Sequence, residues 1–81
     1  MVTRNHYHPE EALKQPMTEA QIRLLRRVVK TNGGGVNAYP EDDRVVAGLI
    51  NRHMIQGKAG ESEMIVHTRE GLAWVRAHPE G

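Results

Sequence analysis

The sequence predicts a small α+β domain in the order helix, short strand, helix, β-hairpin, helix. Three observations carry that prediction. A capped stretch from Met17 to Lys30 has apolar side chains at helical spacing. A second apolar-faced helix, Glu41 to His53, leads directly into two strand-forming runs around a glycine-containing turn. Thr68 then opens a third helix as soon as the second run ends.

Size and composition bound the rest. The chain has 81 residues, 38% of them hydrophobic and 26% charged. That is one domain with a thin core, since a chain of this length buries roughly 60% of its unfolded surface. With no cysteine, neither a disulfide nor a thiolate metal site reinforces the core. With no Phe, the core must be built from Val, Leu, Ile, Met and Ala, and Trp74 is its largest candidate. No run approaches a membrane span and the N-terminus lacks the apolar block of a signal peptide, so the expected compartment is the cytoplasm.

Residues 1–16 show no sustained period and read as a flexible N-terminal arm, and 79–81 as a short tail. His6 and His8 are spaced to chelate, but no third ligand on a rigid frame accompanies them, so no metal and no cofactor is expected. In the first helix Thr18 and Gln21 stand at capping-box spacing, with Met17 and Ile22 as the staple around the cap. Ile22, Leu25, Val28 and Val29 form its apolar stripe, with Leu24 at the margin. Arg23, Arg26, Arg27 and Lys30 oppose Glu19 on the other side, a local charge of +3 that either tracks phosphates or solvates the helix. Thr31 to Gly35 stops the helix, and Val36 to Ala38 reads as a short strand.

Pro40 precedes the second helix, whose first turn holds Glu41, Asp42 and Asp43, as the positive helix end favours. Its expected inward face is Val45, Val46, Leu49, Ile50 and Met54. Its expected outward face is Arg44, Ala47, Gly48, Asn51 and Arg52. The strands are expected at Ile55–Ala59 and Glu63–His67, with Lys58 facing Glu61 and Glu63 around the turn. The last helix draws on Leu72, Ala73 and Val75.

Two runs add a resemblance. Leu49-Ile50-Asn51-Arg52-His53-Met54-Ile55 is similar to the Leu-x-x-Arg-Gly-Leu-Ile-like run of winged-helix DNA-binding domains. Thr68-Arg69-Glu70-Gly71-Leu72 resembles their Leu-Thr-x-x-Gly-like run. The resemblance covers about residues 17–78 and implies a recognition helix from Glu41, a hairpin wing and a closing helix. Only Val36 to Pro40 is left for the middle helix of such a domain, which is therefore reduced or missing.

The function this implies is a DNA-binding or transcription-associated protein. It would bind double-stranded DNA weakly and mainly electrostatically, through Arg23, Arg26, Arg27, Arg44, Arg52 and Lys58, with Asn51 at base edges. The alternative is a winged-helix-like module that holds a protein partner or a second copy, with Trp74 as the anchor. The acidic start of the second helix and the acidic hairpin tip favour the alternative. No nucleophile elbow, His-Glu-x-x-His or paired-carboxylate motif points to an enzyme.

Overall fold

The first helix, α1, spans Glu19–Lys30 in the computed structural model, which describes residues 16–80. The expectations for His6, His8 and the rest of residues 1–15 lie outside the described residues. Thr18 and Gln21 form the capping box: Thr18 N–H donates to Gln21 Oε1 at 3.0 Å, and Gln21 N–H donates to Thr18 Oγ1 at 3.1 Å. Leu24, Leu25 and Val28 of α1 are buried. Leu24 is central rather than marginal, because α1 is covered by a helix on each side and by the sheet. Asn32, in the left-handed conformation at φ 55°, takes the chain out of the helix.

Strand β1 (Val36–Asn37) follows, and no helix lies between Gly33 and Pro40. Helix α2 spans Asp43–Asn51, shorter at both ends than the sequence suggests. Asp42 is its N-cap, accepting from Arg44 N–H at 2.8 Å. Glu41 stays outside, in a turn whose N–H donates to Ala38 O at 3.1 Å. At the far end His53 N–H bonds Ile50 O at 2.9 Å and Met54 N–H bonds Leu49 O at 3.0 Å, with His53 left-handed at φ 62°. That pair of bonds is a Schellman stop, and it releases Met54 into the next strand.

Strands β2 (Ile55–Lys58) and β3 (Glu61–His67) form the hairpin. β3 runs two residues closer to the turn than the sequence suggests and β2 stops one residue sooner, because Ala59 and Gly60, the latter at φ 81°, form the turn by themselves. The sheet is antiparallel in the order β1-β3-β2, with Val36 opposite Ile65 and Gln56 opposite Val66. Helix α3 (Arg69–Ala77) closes the chain, capped by Thr68.

The three described helices and the sheet share one core of Leu24, Leu25, Val28, Leu49, Ile55 and Ile65. Each such side chain contributes about 1.5–3 kcal/mol by leaving water. Val45, Val46, Met54, Trp74 and Val75 pack against it half-buried. Two assignments on α2 are corrected. Ile50 is 44% exposed rather than inward. Gly48 faces inward: a side chain there would overlap the Gln21 amide of α1. The helix presents Leu49, Val45 and Gly48 to α1, which turns Ile50 out of the core. On α3, Ala73 is exposed rather than apolar filling. Among the described residues no helix is long and apolar enough to cross a membrane.

Candidate functional surface

Most of the cations singled out in the sequence are engaged within the fold. Arg23 pairs with Glu19 one helical turn away at 2.9 Å. Arg27 reaches across to α2 and clasps both Glu41 oxygens, at 3.2 and 2.9 Å. Arg26 is only 17% exposed at its side chain. Its Nη2 donates to His78 O at 2.6 Å, and its guanidinium lies 5.9 Å from the Trp74 ring. Arg52 points at Pro16 O, 3.4 Å away. Lys58 donates to Gly34 O at 3.0 Å and pairs with Glu61 at 3.2 Å. The basic face of α1 is thus largely neutralised, and Arg26 belongs to the seam between α1 and α3.

Arg44 and Asn51 differ. Both are exposed on α2, with Ala47 between them, and neither side chain bonds another described residue. Asp42 and Asp43, also exposed, stand at the start of the same helix. Any anion approaching Arg44 therefore meets two carboxylates as well.

Trp74 is half-buried on α3. Its ring stacks on His78 with centroids 4.0 Å apart and planes at 14°, and His78 Nδ1 lies 2.8 Å from Trp74 O. Its shielding comes from the core, from Arg26 and from His78, which leaves little of it to anchor a partner. Glu80 sits 3.7 Å from both Arg26 and Lys30, which holds this end of the chain against α1.

A cleft of about 750 Å³ opens where α2 ends, β2 begins and α3 starts. Ile50, Asn51 and His53 form one wall, Ile55, Gln56 and Gly57 the floor, and Thr68, Arg69 and Glu70 the other wall. Local chemistry fixes its shape. Thr68 Oγ1 accepts from Gly71 N–H at 3.0 Å and donates to the His53 carbonyl, while Thr68 N–H donates to Met54 O at 3.0 Å. One residue therefore caps α3 and ties it to the stop of α2. Gly71 lets the two come together, because a Cβ there would overlap the Met54 carbonyl oxygen and lie 3.1 Å from Leu25 Cδ1.

No protein-family model, curated protein or solved structure matches the chain. The cleft therefore has to be read from its own residues. Asn51 is the one anticipated site residue it contains. Ile50, His53, Gln56 and Arg69 were not anticipated. For Ile50 the sequence carried a weak signal, since Val45, Val46, Leu49 and Ile50 span more of the helix circumference than one buried stripe. His67 Nδ1 and Arg26 Nε are buried without a hydrogen-bond partner. Among the described residues no three His, Asp or Glu side chains gather as metal ligands.

Proposed function

We propose that this chain is a winged-helix-like interaction module that holds a protein partner in the cleft between α2, β2 and α3. The observation that carries the reading is the exposed Ile50 at the lip of that cleft. An aliphatic side chain at the lip of an open, partly apolar hollow gives a partner side chain a place to pack, as concave binding sites do. What supports the winged-helix-like part is the order helix, strand, helix, hairpin, helix, with β1 lying against β3. Arg26 is held in the seam between α1 and α3, and Arg23, Arg27, Arg52 and Lys58 each have a partner within the chain, which weighs against an electrostatic grip on duplex DNA.

Duplex DNA is the second reading, favoured by Arg44 and Asn51, which stand exposed on one side of α2. Fluorescence anisotropy with a labelled random-sequence duplex, across a salt series, separates the two. The interaction module gives no binding at low salt. A complex whose log affinity falls with log salt at a slope of about 0.9 per phosphate contacted, over several phosphates, would overturn it. In that event Arg44→Ala should reduce the slope, and Asn51→Ala should remove about 1–3 kcal/mol of preference at one base pair.

A further inference from the structure

The floor of the cleft is an edge of the sheet. In the order β1-β3-β2, strand β2 has a neighbour on one side only. Its register shows which backbone groups are left over. Thr68 N–H bonds Met54 O, so Met54 and Thr68 are a hydrogen-bonded pair. Bonded and non-bonded pairs alternate along antiparallel strands. Gln56 opposite Val66 is therefore bonded, whereas Ile55 opposite His67 and Gly57 opposite Ile65 are not. The N–H and C=O groups of Ile55 and Gly57 point away from β3, into the cleft.

That edge is short and ends at a register shift between Gly57 and Lys58, but no side chain covers it at Gly57. Gly57 has open space where a side chain would stand. Lys58, the cation of β2, reaches to the Gly34 carbonyl next to β1, on the far side of β3. Edge strands normally carry a charge, a proline or a cover, since unpaired backbone recruits another strand. His53 adds to the picture. It sits at the lip in the left-handed conformation, where glycine is favoured, so its side chain is retained there at a conformational cost.

Resting on the interaction-module reading, we infer that the cleft takes an extended segment of a partner protein, which adds as a fourth strand to the outer edge of β2. Backbone bonds to Ile55 and Gly57 hold the segment. An aliphatic side chain of the segment packs on Ile50, and a carboxylate meets Arg69, which has no acidic partner among the described residues. Glu70, exposed on the same wall, matches a basic residue elsewhere in the segment. A second copy of this chain does not fit. Four residues of β2 give a seam about 13 Å long, while a stable interface covers about 800 Å² on each partner. The ends of α2 and α3 that wall the cleft would also hold two β2 edges apart.

The test selects short random peptides on the full-length chain, then titrates the most enriched synthetic peptide into the ¹⁵N-labelled chain. The expected result is a peptide with an aliphatic residue between charged ones, whose binding slows amide exchange at Ile55 and Gly57. Gly57→Pro removes an outward N–H but none of the bonds to β3, and should weaken binding about tenfold or more, as loss of one buried hydrogen bond does. Ile50→Asp changes an exposed position, leaves the fold intact and should weaken binding to a similar degree, so it decides the matter if Gly57→Pro does not fold. Unchanged binding in Ile50→Asp overturns the inference. So does a peptide protected elsewhere, such as the hollow between α1 and α2, although the module reading survives that result. Failure to enrich any peptide overturns the inference, and failure accompanied by steep salt-dependent duplex binding overturns both.

Discussion

Gly71 and His53 make opposite demands on the chain, and each can be measured. At Gly71 a methyl group would meet the Met54 carbonyl oxygen, a backbone atom fixed by its bond from Thr68 N–H. The chain cannot yield there without parting α3 from the end of α2. Gly71→Ala should therefore cost about 3 kcal/mol, at the upper end of ordinary overpacking, as a lower urea midpoint with unchanged slope. A loss below about 0.5 kcal/mol, the level of an ordinary surface substitution, would mean that the two elements are not so close. At His53 the demand is for less side chain. A non-glycine residue in the left-handed region loses roughly 1–2 kcal/mol, and glycine returns about 0.5–1 of that through its freer unfolded chain. His53→Gly should stabilise the domain by about 0.5–1 kcal/mol. A destabilised variant would show that the imidazole makes contacts worth more than its strain.

Among the elements, the junction of α2, β2 and α3 depends on one hydroxyl. Thr68 caps α3 and donates to the His53 carbonyl. Thr68→Ala removes a cap worth about 1 kcal/mol and a hydrogen bond of about 1 kcal/mol. Thr68→Ser keeps both, so denaturation should show a loss of about 2 kcal/mol for Ala and little for Ser. Equal losses would place the effect in the methyl group instead. How far such features can be read beforehand depends on their range. The Thr18–Gln21 box, the Thr68 cap, the strand at Val36 and the missing helix before Pro40 all depend on residues a few positions apart, and were legible. The facing of α2 was not. Periodicity gives a helix an apolar side, but the position of Gln21 on α1 decides that Gly48 turns in and Ile50 turns out. The Lys58–Glu61 pair is local and was legible, but Glu41, the partner of Arg27, lies 14 residues away and the Gly34 carbonyl that also holds Lys58 lies 24 away, and nothing local announces them. The cleft is a gap between three elements, so no single stretch of sequence encodes it.

The molecule as a whole carries little free field. Its net charge is +1, and the ion pairs among the described residues lie mostly at the surface. Surface pairs contribute about 0–1 kcal/mol each and are screened by salt. Raising sodium chloride from low to moderate concentration should therefore change unfolding free energy by only about 1 kcal/mol. A much larger loss would show that the Arg26–Glu80 and Arg27–Glu41 links brace the fold more than their exposure suggests. A weak field also fits a partner recognised by backbone pairing and an aliphatic contact at short range.

The packing around α1 has a consequence for how the chain is made. Leu24, Leu25 and Val28 are covered by side chains of α2, β2, β3 and α3, and every one of those is synthesised later. During translation the stripe is covered in full only once α3 has emerged from the ribosome. A product that stops before Gly71 lacks the cover that Trp74 and Val75 give the core and leaves part of the apolar stripe of α1 in water, a condition that leads to aggregation rather than folding. Messages truncated before Gly71 should yield inclusion bodies, since α3 is the element that completes the cover of α1.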